Sequence, residues 1–230
     1  LAVELRQLVL NQKENKYTRI LASKCLFELD DYDFRSDLNV LICESSSTSL
    51  NIAAEIFKNL GLEALMPSEF EIFFRNCISL YPGHKKRFES VTGDRYFVRR
   101  FIKLLSIDVT EWLLNSLTKD LACTCKKKEY ECDCRTGISK IVGFLLDHYF
   151  ELEKAPFDPL CIWKWVENLY FPDQINVQDI SSVKLLREDD ALRQGIIAIV
   201  FEGLTEKAQI SYLRVHKFGS HYSHAGLCFH

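Results

Sequence analysis

Apolar residues recur every three or four positions along almost the whole chain, and the strict alternation of a half-buried strand is nearly absent. A chain patterned in this way has no face to offer a sheet, so the fold class expected is all-α. Over the first 65 residues the pattern also repeats itself. Leu5, Leu8 and Val9 mark one face of a short helix that ends at Asn11-Gln12-Lys13-Glu14-Asn15. A second helix is expected over 16–28, with Leu21, Ala22, Cys25, Leu26 and Leu29 as its stripe, before Asp30-Asp31-Tyr32-Asp33 breaks it. Leu38, Leu41 and Ile42 repeat the first set at an offset of 33, and Ile52, Ala53, Ile56, Phe57 and Leu60 repeat the second at an offset of 31. The loop Glu44-Ser45-Ser46-Ser47-Thr48 absorbs the difference. A helix pair that cannot cover its own apolar face must stack on a neighbour, which is the logic of HEAT-type solenoids.

Beyond Leu65 the spacing becomes irregular, and three segments are expected: HEAT-like pairs over 1–65, an irregular helical region over 66–215, and a lead-in to something further over 216–230. Met66-Pro67 closes one helix, and Ser68-Glu69-Phe70-Glu71 has the form of a capping box opening the next, which runs to about Leu80. Tyr81-Pro82-Gly83 then starts a long polar stretch. Further helices are expected over 95–105, with Phe97, Phe101, Leu104 and Leu105 inward, and over 109–119, with Trp112, Leu113 and Leu117 inward. Others are expected over 137–151, over 159–170 behind the Asp158-Pro159 start signal, and over 188–203. A cysteine-rich insertion occupies 120–136.

Of 230 residues 47% are hydrophobic and 27% charged, with a formal net charge of -3, a composition that suits a folded protein and lacks the basic excess of a dedicated nucleic-acid binder. No apolar run reaches the roughly 20 residues needed to span a bilayer, and the first residues lack a signal peptide's pattern, so a cytoplasmic location with no membrane partner is expected. The first residue is Leu1 and the last five are Gly226-Leu227-Cys228-Phe229-His230, which reads as a piece of a longer protein. Cys25, Cys43, Cys77, Cys161 and Cys228 lie singly in apolar settings and are expected to fill the core of a protein in a reducing compartment.

The other four cysteines fall within twelve residues, as Cys123, Cys125, Cys132 and Cys134. Four thiolates complete a tetrahedral shell around zinc, and such a closed site is structural because no position is left for substrate. Each pair is separated by one residue where a zinc knuckle uses two or more, so two local disulfides and a reduced loop stand beside the structural-zinc reading. Arg95, Arg99 and Lys103 recur at intervals of four and would share one helix face, a row able to meet phosphates or an acidic partner, or simply water. His221, His224, Cys228 and His230 fit no closed metal site, and His148 reads as a half-buried helix residue. Phosphate-loop, nucleophile-elbow and zinc-protease signatures are absent from the sequence, and no catalytic residue is assigned.

Several segments in order resemble the helical region that follows the nucleotide-binding module in bacterial NACHT-type STAND NTPases. They are Leu8-Val9-Leu10-Asn11 with Tyr17-Thr18-Arg19; Leu62-Glu63-Ala64-Leu65-Met66-Pro67; Arg95-Tyr96-Phe97 with Phe101-Ile102 and Glu111-Trp112-Leu113; and His224-Ala225-Gly226-Leu227. The resemblance implies a non-catalytic scaffold or sensor whose partners are its own NTPase module and a protein ligand, in antiphage defence. The cysteine quartet departs from that pattern. A helical adaptor or bacterial effector fragment is the alternative, and a zinc-containing nucleic-acid-binding module is the third reading.

Overall fold

The computed structural model of the chain describes residues 1–29, 33–81, 95–119, 133–167 and 188–206, with side chains from 137 onward in the fourth stretch. The fold is all-α: among the described residues there are ten α-helices and no strand. They are α1 (Ala2–Leu10), α2 (Lys16–Phe27), α3 (Arg35–Glu44), α4 (Ser47–Leu60), α5 (Pro67–Cys77), α6 (Tyr96–Ile102), α7 (Ile107–Lys119), α8 (Asp133–Leu152), α9 (Pro159–Val166) and α10 (Asp190–Glu202). None is long and apolar enough to cross a membrane. The chain divides into two compact units, Leu1–Leu105 and Ser106–His230.

The first unit is built from helical hairpins. α1 packs on α2 and α3 on α4; across the pairs, α1 packs on α3 and α2 on α4. The array then continues into a third pair, because α5 packs on α3 and α6 on α4. Odd helices thus form one layer and even helices the other. Leu38, Leu41 and Ile42 are matched on α5 by Phe70, Phe73 and Phe74, and all six are buried. Phe57 of α4 lies 5.6 Å from Phe70, 5.4 Å from Phe73 and 5.7 Å from Phe101 of α6, so one aromatic cluster joins three helices. The boundary expected after Leu65 lies inside this unit, since that cluster bridges it.

Each hairpin turn has a local cause. Asn15 caps α2 by accepting from the Tyr17 amide at 2.9 Å, and Ser46 caps α4 in a capping box with Ser49. Gly61 closes α4 at φ +84°, a left-handed setting that favours glycine. Ser45 sits at φ 56° between α3 and α4, and its hydroxyl donates to Asn76 Oδ1 of α5 at 2.6 Å, tying that tight turn to the next pair. The cap of α5 is Met66, two residues before the expected Ser68. Pro67 takes the first helical position and the Glu69 carboxylate accepts from the Met66 amide at 2.8 Å, so Glu69 and not Glu71 reaches back.

Three expected stripes are corrected. On α2 the buried residues are Arg19, Ala22, Ser23 and Leu26, while Leu21 and Cys25 are exposed. Leu104 is exposed because α6 ends at Ile102, and on α7 Leu114 is fully buried where Trp112 is only half-buried.

In the second unit α7 packs on α8 and α9, and α9 on α10. α8 is enclosed on nearly every side from Ile138 to Tyr149, with Ile141, Val142, Leu145 and Leu146 fully buried. Trp165 of α9 is buried edge-on against Tyr149 at 5.0 Å, and its indole nitrogen donates to Asn115 Oδ1 of α7 at 2.8 Å. α9 starts where the sequence signal put it, with Asp158 accepting from Leu160 at 3.0 Å and Pro159 next, but it ends at Val166. Gly195 lets α10 lie directly on the Pro159 ring: a Cβ there would meet Pro159 Cγ at 2.4 Å and Cβ at 2.8 Å.

Truncating Phe57 to Ala should cost about 3–5 kcal/mol in urea unfolding monitored by helical circular dichroism, through lost burial and a residual cavity. Gly195→Ala should also destabilise even though alanine is the better helix former, because the ring of Pro159 stands against the added methyl.

Candidate functional site

The most concentrated polar chemistry among the described residues lies inside the first unit, where hairpin one meets hairpin two. α2 carries Arg19 on its buried face, next to Ala22 and Ser23, and a guanidinium placed there needs a partner for every nitrogen it removes from water. Its Nε donates to the Val9 carbonyl at 2.8 Å. Its two terminal nitrogens form a fork with Glu44, at 2.7 Å to Oε1 and 2.6 Å to Oε2. The Ser46 hydroxyl adds a third donor to Oε1 at 2.6 Å. Both side chains are withdrawn from solvent, at 4% exposure for Arg19 and 8% for Glu44. Burial on its own would push the Glu44 carboxyl up; the hydrogen bonds from Arg19 and Ser46, with the Arg19 charge, outweigh it and hold the pKa below the ordinary carboxylate value.

A second ion pair joins the same two hairpins through the odd layer. Arg6 of α1 reaches Asp37 Oδ1 of α3 at 2.8 Å from Nε and 2.7 Å from a terminal nitrogen, and Asp37 is buried. The joint to hairpin three repeats the arrangement more loosely: Arg35 reaches Glu69 at 3.4 Å and the Ala64 carbonyl at 3.1 Å. Arg19, Glu44 and Asp37 were not marked as site residues in the sequence. The available signal was an arginine lying on the same helical face as Ala22 and Leu26.

Of the basic row expected at Arg95, Arg99 and Lys103, Arg95 is engaged within the protein. α6 runs only from Tyr96 to Ile102, with Arg95 and Lys103 at its two caps. Arg95 donates to the Leu80 carbonyl at 2.7 Å and places its guanidinium 5.3 Å from the Tyr81 ring, while Tyr81 donates to the Arg95 carbonyl at 3.4 Å. Burial pushes the Tyr81 phenol up, and the Arg95 and Arg99 charges pull against it. One member of the row, Arg95, therefore packs on Tyr81.

Of the proposed zinc ligands, Cys123, Cys125 and Cys132 lie outside the described residues, and Cys134 falls in the first turn of α8, which starts at Asp133 and so begins within the expected insertion. Among the described residues no three His, Cys, Asp or Glu side chains converge into a metal-binding set. The single cysteines are not uniformly core fillers. Cys77 is buried, Cys161 is half-buried, Cys25 and Cys43 are exposed, and Cys228 lies outside the described residues. Burial, then Asp158 and Glu111, push the Cys161 thiol up against the pull of Lys164, which keeps it protonated and a poor nucleophile. His148 is fully buried in α8, deeper than expected.

No known protein family, curated protein or solved structure matches the chain.

Replacing Glu44 with Gln leaves a buried guanidinium without its counter-charge and should cost about 3–5 kcal/mol. Since the folded-state pKa of Glu44 is depressed, its stabilisation is present above the unfolded carboxylate pKa and is lost as pH falls through the folded value. Urea titrations at falling pH should show a decline in acid for the wild type that is shallower in Glu44→Gln. For the cysteine quartet, elemental analysis of reduced protein should find one zinc per chain. Cys132→Ser should lose it with helical content unchanged, because a thiolate shell needs all four sulfurs.

Proposed function

We propose that the chain is a non-catalytic scaffold and sensor region, a HEAT-like helical array that belongs to a larger STAND-type NTPase. It works in the cytoplasm, holds its own NTPase module in a regulated state and recognises a protein ligand, with antiphage defence as the biological setting. The observation that supports this reading is the stacking of three hairpins in two layers, with the Arg19–Glu44 pair of the first joint turned inward. An array of that kind gains rigidity from neighbour contacts and presents extended helical faces, which suits protein recognition better than chemistry on a small substrate. The zinc proposed at Cys123, Cys125, Cys132 and Cys134 braces a connection in this picture and takes no part in recognition.

The arginine at the start of α6 separates this reading from nucleic-acid binding. Arg95→Ala should lower stability by about 1–3 kcal/mol, the loss of a charged hydrogen bond and a cation–π contact. The protein should show no salt-dependent retention of single- or double-stranded DNA before or after the change; a steep salt-dependent affinity lost with Arg95, Arg99 and Lys103 would refute the scaffold reading. The complete reading frame should carry a phosphate loop and an acidic metal-binding strand ahead of this region, and an open reading frame without them would remove the STAND assignment.

A further inference from the structure

The three hairpins place equivalent residues in columns, and hairpin one departs from the other two on one side. On the even layer the column runs Leu21 and Cys25 on α2, Ile52 and Ile56 on α4, and Phe97 and Phe101 on α6. Arg19, which meets Glu44 of the following hairpin, fixes the forward-facing side of α2, and at 3.6 residues per turn Leu21 lies about 160° and Cys25 about 120° away from it, both on the backward side. The same direction holds at the third hairpin, where Phe101 reaches back to Phe57 of α4 at 5.7 Å. Ile52, Ile56, Phe97 and Phe101 are all buried; Leu21 is 64% exposed and Cys25 is exposed.

The odd layer carries a matching column of charge. Glu4, Asp37 and Glu69 occupy equivalent positions in the first turns of α1, α3 and α5. Asp37 receives Arg6 from the helix before it and Glu69 receives Arg35 from the helix before it. Glu4 is 79% exposed and pairs only loosely, at 3.5 Å, with the terminal amine of its own helix. Apolar and acidic positions that the second and third hairpins use to receive a predecessor are thus both present, and uncovered, on the first.

We infer that the backward face of hairpin one is a docking surface for a further helical hairpin of the same repeat type. That hairpin presents an apolar stripe to Leu21 and Cys25, and an arginine or lysine, placed as Arg6 is, to Glu4. Charge complementarity identifies the occupant: an acidic position that is filled by a predecessor's arginine at two joints calls for the same partner at the third. The inference holds whatever larger protein the array serves.

The test is a tandem chain in which residues 1–34 are duplicated ahead of residue 1. The added copy carries Cys25→Ser, and the original copy carries Asn11→Glu, so that the added copy's Arg19 meets a carboxylate at the place equivalent to Glu44. The rate of alkylation of the original Cys25 should fall at least tenfold relative to the 230-residue chain, and Glu4→Lys or Leu21→Asp in the original copy should restore it. Leu21→Asp in the 230-residue chain should leave the melting temperature unchanged, since the position is uncovered there. Unchanged reactivity of Cys25 in the tandem chain overturns the inference, whether or not the added helices form. Protection of Cys25 in the 230-residue chain that grows with concentration also overturns it, by assigning the face to a second copy.

Discussion

A buried guanidinium governs the first unit. Arg19 is withdrawn from water among Ala22, Ser23 and Leu26, and a charge in that position is tolerable only if all its donors are met at once. The partners come from two directions: the Val9 carbonyl near the end of α1 in its own hairpin and the Glu44 carboxylate at the end of α3 in the next. Meeting both requires α1 to end beside α2 and α3 to end beside them, with the turn into α4 close enough for Ser46 to complete the Glu44 shell. A well-packed apolar pair could match the stability of such an ion pair, but it would not specify one register between hairpins. The Arg19 fork does, because a slip of one residue on α2 would turn the arginine about 100° away from Glu44.

The same economy is visible along the array. Asp37 is tied to Arg6, Glu69 to Arg35, Ser45 to Asn76 and Arg95 to Leu80 and Tyr81, so charged and polar residues at helix ends are spent on joints within the unit. Between the joints, burial rises as hairpins gain neighbours. Leu5 and Leu8 of α1 are half-buried, Leu38 and Leu41 are buried, and their counterparts on α5 are fully buried phenylalanines that meet Phe57 and Phe101. The second unit follows a different plan, in which one long helix, α8, is enclosed along most of its length and the close approach of α10 to α9 depends on a missing side chain at Gly195.

Much of the fold was readable in the sequence because helical period survives substitution. The offset of 33 between Leu5-Leu8-Val9 and Leu38-Leu41-Ile42, and the Asp158-Pro159 start of α9, depend only on local spacing and local capping. What was not readable depends on neighbours. The third hairpin was missed because Phe70-Phe73-Phe74 keeps the spacing while changing side-chain type, and a long connection precedes its second helix. Leu21 and Cys25 were placed inward as part of one helical stripe with Ala22 and Leu26, yet a stripe is buried only if something covers it. Of the expected site residues, Arg95 turned out to pack on Tyr81, a contact across the α5–α6 connection that no spacing rule contains. Arg19 was not singled out, since a sequence shows that an arginine lies on an apolar face but not that a carboxylate 25 positions on will meet it.

These two kinds of residue, a buried charge that was not foreseen and an exposed apolar pair that was foreseen as core, share one cause. In a stacked array every hairpin has a forward and a backward face, and a residue's environment is set by the neighbour on that side and not by its own helix. Arg19 is buried because hairpin two stands in front of it, and Leu21 is exposed because nothing among the described residues stands behind it. Composition and periodicity are properties of single helices, so they predict the layer a residue belongs to and leave its burial to the next element in the stack. The ionic residues of this array therefore report where neighbours already are, and its uncovered apolar residues report where a neighbour would bind.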